Sequence, residues 1–171
     1  MGNRAFIVFH NEDTNKVSSA IYLHWNGGPE SIYAFLDECD RRKVAHDLDY
    51  QPARFIHVVC DYFDTHPLGA GGSSIGVMAG PSGIQPWYLA EFCKSADDNG
   101  VYVVSHKDGI RKVRRFYRGT VEGIPRCIEM TAAQVEQERV AAYAHEYHVP
   151  KEGESIAQIF RRLRPEISPY G

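Results

Sequence analysis

The apolar run Val101–Val104 precedes the tripeptide Lys107-Asp108-Gly109, and a stretch mixing apolar and basic residues, Ile110–Tyr117, follows it. A tight turn between strands needs backbone with positive φ at its centre, which Asp and Gly tolerate and most residues do not. This is the strongest hairpin signal in the chain, so the fold must contain an antiparallel strand pair here. Asn99-Gly100 marks a further turn immediately before the first of these strands.

The other segments arrange themselves around that pair. Ala5–Phe9 (AFIVF) and Ala20–Trp25 (AIYLHW) read as a second antiparallel pair, joined by the polar stretch Asn11–Ser19. Gly27-Gly28 ends the second strand and Pro29 suits the first turn of a helix. Ile32, Phe35, Leu36 and Cys39 then follow at i, i+3, i+4 and i+7, which predicts an amphipathic helix to about Lys43. Pro52 opens a second helix with Phe55, Ile56, Val59, Cys60 and Phe63 on one side. A Gly-rich link over 68–74 leads to a short strand over 74–78. Trp87–Cys93 (WYLAEFC) fits either a helical turn or a strand, with helix preferred. Beyond Gly119, Thr131 and Gln134 form a capping box ahead of a helix to about His148. Ile156, Ile159, Phe160 and Leu163 place a last helix before Pro165. The expected fold is α+β: a mostly antiparallel sheet of about five strands with two amphipathic helices on one face. The expected organisation is a core domain over 1–120 and a helical C-terminal extension over 121–171.

Charge restricts the function. Nineteen Lys and Arg against 22 Asp and Glu leave a formal charge of −3, too near balance for a protein that coats nucleic acid. No run of about 18 apolar residues is present and the N-terminus lacks a signal-peptide core, so a cytoplasmic protein is expected. Cys39, Cys60, Cys93 and Cys127 form no CxxC pair and read as reduced thiols, with Cys39 and Cys60 on apolar helix faces.

Local patches remain as candidate sites. Arg111, Lys112, Arg114, Arg115 and Arg118, interleaved with Phe116 and Tyr117, make the densest basic stretch. Such a strand could meet phosphate backbone, an acidic protein surface, or solvent as a charged edge. We take Arg111, Lys112, Arg114, Arg115, Tyr117 and Arg118 as the candidate binding set. His24, Trp25, Asn26, Gly27 and Gly28 lie where a strand feeds a helix, and free backbone N–H groups there could hold an anion. No P-loop or dinucleotide fingerprint follows them, and the alternative is a tight turn in which Trp25 packs on the core and Asn26 caps the helix. His57, Cys60 and Asp61 share one helix, but a thiol on its apolar side would be unreactive. His145 and His148 fall one position short of an HExxH motif and lack a third ligand. No catalytic residue, metal or cofactor is therefore expected.

The stretches MGNRAFIVF, IYLHWNGGPESIYAFL, ARFIHVVCDYF, SSIGV and DNGVYVV, over about residues 1–105, resemble a group of small accessory proteins of bacteriophages, prophages and plasmids. The segment Pro81–Ala96 and the helical tail depart from that group. The resemblance implies a mobile-element setting, in which such genes often encode inhibitors of host defences. The expected function is accordingly binding and inhibition of a host protein or complex, of the anti-CRISPR type. Alternatives are a small-molecule or anion binder, or an enzyme, at the HWNGG turn, and a nucleic-acid binder through Arg111–Arg118. Besides a host protein, a second copy of the chain could pair with the helical tail.

Overall fold

The structure, a computed structural model, describes residues 3–64 and 75–144. Its strands are β1 (Ala5–Asn11), β2 (Lys16–Val17), β3 (Ala20–Leu23), β4 (Ile75–Met78), β5 (Val101–Lys107), β6 (Ile110–Val121) and β7 (Ile124–Glu129). Its helices are α1 (Pro29–Arg41), α2 (Gln51–Asp64), α3 (Pro86–Ser95) and α4 (Ala132–Tyr143). The strands form one sheet in the order β4-β3-β1-β5-β6-β7, with β2 attached to the end of β1. Neighbours are antiparallel except β1 and β5, which run parallel. The fold is α+β.

Strand β1 is central, and six of its seven residues are buried. Successive side chains of a strand point to opposite faces. Ala5, Ile7 and Phe9 therefore join the core under α1 and α2, while Phe6 and Val8 join the core under α3. Coverage on both faces explains why this strand reads as an unbroken apolar run without alternation. It also explains the parallel neighbour, since everything from β2 to α3 lies on the crossover between β1 and β5.

The α1 stripe Ile32, Phe35, Leu36 and Cys39 is buried as its spacing predicts. On α2 the buried side chains are Phe55, Val58, Val59 and Tyr62, a stripe turned slightly from the expected one. Ile56 and Cys60 lie at its margin, half-buried, so Cys60 is not a core thiol. Trp87–Cys93 is helical: Pro86 starts α3, and Leu89 and Cys93, one turn apart, face the sheet. α3 covers the face opposite α1 and α2.

The sheet does not stop at residue 120. β6 turns at Glu122-Gly123, both with positive φ, and returns as β7. Two features hid this strand: Glu-Gly is a weaker turn signal than Asp-Gly, and Pro125 argues against a strand. Proline is tolerated here because β7 is an edge. The Thr131–Gln134 capping box is present. α4 then packs on α1 and β6, so the chain as far as residue 144 belongs to the core. The expectations for His145, His148 and the last helix, with its pairing to a second copy, fall outside the described residues.

Phe55 is fully buried with its ring edge-on to Phe9 and Phe35, at centroid distances of 5.8 and 6.1 Å. Phe55→Ala should lower the free energy of unfolding by about 3–5 kcal/mol, measured by urea denaturation. A loss below about 1 kcal/mol would contradict this packing.

Candidate functional site

The HWNGG turn is held together by its own backbone. Gly27 N–H donates to Asn3 C=O at 2.8 Å, and the buried Tyr102 hydroxyl donates to Gly27 C=O at 2.9 Å. A Cβ on Gly27 would lie 2.6 Å from the Asn3 carbonyl oxygen and 2.7 Å from Ala5 Cβ, so close chain approach demands the glycine. Gly28 is the N-cap of α1 and no side chain caps the helix. Asn26 instead adopts positive φ, which turns it away from the capping position, and its buried Nδ2 has no partner. Trp25 packs against the core, and His24 Nδ1 lies 3.0 Å from the Tyr22 hydroxyl. The Glu30 carboxylate folds over Gly28, with Oε2 2.9 Å from where a Cβ would stand. An acidic side chain of the first turn thus lies against the start of the helix.

The basic strand divides between the two faces of the sheet. Arg111 and Arg115 lie opposite His106 and Tyr102, on the α1 and α4 side. Lys112 and Arg114 lie opposite Ser105 and Val103, on the α3 side, and Arg118 follows them at even spacing. Each cation meets an acid. Arg111 bonds Asp37 and Asp40 at 2.7 and 2.8 Å, Lys112 bonds Glu12 at 3.1 Å, and Arg114 bonds Glu129 at 2.6 Å. Arg118 reaches Asp97 at 3.5 Å. Arg115 is only 2% exposed and pairs with Glu138 at 2.6 Å. Tyr117 is half-buried. The set therefore does not lie on one face of the sheet. A cavity of about 450 Å³ between β6 and α4 is lined by Arg111, Arg114 and Arg139, but these too face Asp37, Glu129 and Glu136.

The four thiols sit in different settings. Burial pushes Cys39 up to about 12. His57 is exposed with Nε2 3.7 Å from Asp61, which is already bonded to Arg42. The sheet brings together Cys93 of α3 and Cys127 of β7, with Sγ atoms 3.0 Å apart. The Cys127 contact, with burial, raises the Cys93 pKa, while the same contact lowers that of Cys127. This pairing spans α3 and a strand that the sequence does not announce, so spacing could not reveal it.

A second cluster is also invisible in sequence: Asp40, His46 and His106. Asp40 stands in the last turn of α1. Lys43 takes positive φ just beyond it, its N–H bonding Asp40 C=O while Val44 N–H bonds Cys39 C=O, and this reverses the chain. Val44 and Leu48 pack on the core and hold the returning segment. His46 thereby stacks face to face on His106 from β5, with centroids 3.5 Å apart and planes 10° from parallel. Burial, then the neighbouring His46, brings the pKa of His106 down to about 4, so its ring is neutral at pH 7.

The outer face of α3 carries two exposed aromatic side chains. Trp87 is 69% exposed, beside the half-exposed Tyr88. Positions 87, 90, 91 and 94 share one helical stripe. Ala90, Glu91 and Lys94 of that stripe line a groove of about 290 Å³ with Arg118, Arg126 and Cys127. Among the described residues, Lys94 and Arg126 have no ion-pair partner.

If Gly27 is required by packing alone, Gly27→Ala should destabilise the fold by about 1–3 kcal/mol with no phosphate or nucleotide added, read as a lower midpoint in thermal unfolding. An unchanged midpoint would contradict the structural role. Comparisons with protein-family models, with curated proteins and with solved structures found no match.

Proposed function

We propose that this protein acts by binding an acidic surface of a host protein, through the face formed by α3 and β7. The carrying observation is the exposed Trp87 at the head of a stripe that continues into a groove bearing Lys94, Arg118 and Arg126. Trp and Arg are the residues that most often anchor interfaces, and large exposed aromatic side chains are costly to leave in water. With Arg118 paired to Asp97, Lys94 and Arg126 stand against the lining acid Glu91 and give the groove a small positive balance, which complements an acidic partner. The α3 part of this face lies within Pro81–Ala96, a segment in which the chain departs from the mobile-element proteins it resembles. In that setting the proposed target is a host defence complex, inhibited by occupancy in the anti-CRISPR manner. The division of the β6 cations between two faces, each with an acid partner, disfavours nucleic acid as the ligand.

The test is affinity capture from a nuclease-treated bacterial lysate, comparing the wild-type chain with the Trp87→Ala/Arg126→Glu variant. Both substitutions are on exposed positions and should leave thermal stability within about 0.5 kcal/mol. One host protein should be retained in stoichiometric amount by the wild type, be released by raised salt, and be lost with the variant. Retention that disappears with nuclease, that the variant leaves unchanged, or that never occurs would overturn the reading.

A further inference from the structure

Two imidazoles and one carboxylate converge on the α1 side of the sheet, away from the face formed by α3 and β7. His106 Nε2 is 3.6 Å from Asp40 Oδ1, and His46 Nε2 is 4.0 Å from the same oxygen. A histidine hydrogen-bonded to a carboxylate would stand at about 2.7–2.9 Å. Two ligand atoms sharing one tetrahedral zinc stand about 3.3 Å apart, given metal–ligand bonds of about 2.0–2.1 Å. Both spacings are too long for hydrogen bonds; that of His106 is within a few tenths of an ångström of what a shared cation requires, and that of His46 is longer, so the His46 ring must tilt off its stack on His106 to reach the same ion.

The burial pattern points the same way. The His106 side chain is only 6% exposed, and its Nε2 is buried without a hydrogen-bond partner. Leaving a buried polar nitrogen unpaired is costly, and an ion that would bind there is one of the ordinary reasons for such an atom. That nitrogen lies 3.6 Å from Asp40 Oδ1, and ligand atoms of Asp40, His46 and His106 all lie within 4.8 Å of one another. His46 and Asp40 are 40% and 43% exposed, so an ion could enter from solvent and His46 has room to tilt.

The surrounding charges orient the site. Arg111 bonds the other oxygen of Asp40, Oδ2, at 2.8 Å and leaves Oδ1 toward the histidines. Its positive charge is also faced by Asp37 at 2.7 Å, and Tyr143 of α4 donates to that carboxylate at 2.7 Å. Two carboxylates against one guanidinium leave a net negative environment for a cation. Such outer contacts are the usual means of fixing a metal-binding carboxylate.

We propose that Asp40, His46 and His106 bind one divalent transition-metal ion of the zinc class, through Oδ1 and the two Nε2 atoms. Two nitrogens and one oxygen suit Zn²⁺ or Fe²⁺ over Ca²⁺ or Mg²⁺, which take oxygen ligands. Three protein ligands leave a fourth position open, which water takes. The site stands on its own geometry and does not depend on the docking face proposed for α3 and β7.

The probe is Co²⁺, whose visible absorbance reports nitrogen and oxygen ligands, with Zn²⁺ as competitor and isothermal titration for stoichiometry. The full chain should bind one equivalent, with Zn²⁺ displacing Co²⁺. His46→Ala alters an exposed loop residue and should weaken binding at least tenfold while circular dichroism is unchanged. Asp40→Asn, which keeps the side-chain shape, should weaken it similarly. A His145→Ala/His148→Ala variant should bind as the wild type does. No binding by the wild type at millimolar Co²⁺ or Zn²⁺ would overturn the proposal. So would binding that survives His46→Ala and Asp40→Asn, or that is lost in the His145/His148 variant.

Discussion

The fold turns on one buried cation. The Arg115 guanidinium lies 3.6 Å above the ring of Tyr102, donates to Glu138 of α4, and donates to the carbonyls of Asn99 and Val101 at 2.7 and 3.1 Å. A guanidinium this deep would cost several kcal/mol if unpaired, so every one of these partners is a condition of burying it. Tyr102 extends the network by bonding Gly27 C=O, ahead of α1. Through these contacts one side chain ties β6 to β5, to the Asn99-Gly100 turn, to α4 and to the start of α1. Arg111 repeats the arrangement four residues earlier, joining β6 to Asp37 and Asp40 of α1.

That network reassigns the most conspicuous stretch of the sequence. Five cations within eight positions suggest a surface, yet strand alternation sends Arg111 and Arg115 to one face and Lys112, Arg114 and Arg118 to the other. Their acid partners come from α1, the β1–β2 loop, β7, α4 and the turn before β5. The ion pairs hold the helices and loops on the sheet, and what remains for a partner lies elsewhere. The groove beside Trp87 combines an exposed aromatic anchor with cations of positive balance, and the cluster at Asp40 combines three metal-type donors with a buried nitrogen lacking a partner.

Much of the architecture is legible without coordinates because its signals are local. Asp108-Gly109 marks the β5–β6 turn, the Ile32 to Cys39 spacing marks α1, and Thr131 with Gln134 marks the start of α4. β7 escapes because its turn is Glu122-Gly123 and its second residue is Pro125, features a strand tolerates only at an edge. The parallel β1–β5 pairing escapes because no local pattern encodes which strands become neighbours after a long crossover. The sites escape for the same reason. His46 and His106 are 60 residues apart in number, and Cys93 and Cys127 come from different faces of the parsing; only tertiary structure brings either pair together. Conversely, the basic run and the HWNGG turn are conspicuous in sequence because packing requires them.

The structural role of the basic strand is tested most directly by a double-mutant cycle on Arg115 and Glu138. Stability by urea denaturation would be compared for the wild type, Arg115→Met, Glu138→Gln and the double variant. A buried, hydrogen-bonded pair predicts a coupling energy of about 1–3 kcal/mol, with each single substitution markedly destabilising. Effects that add to within about 0.5 kcal/mol would contradict the account and return Arg115 to the candidates for binding a partner.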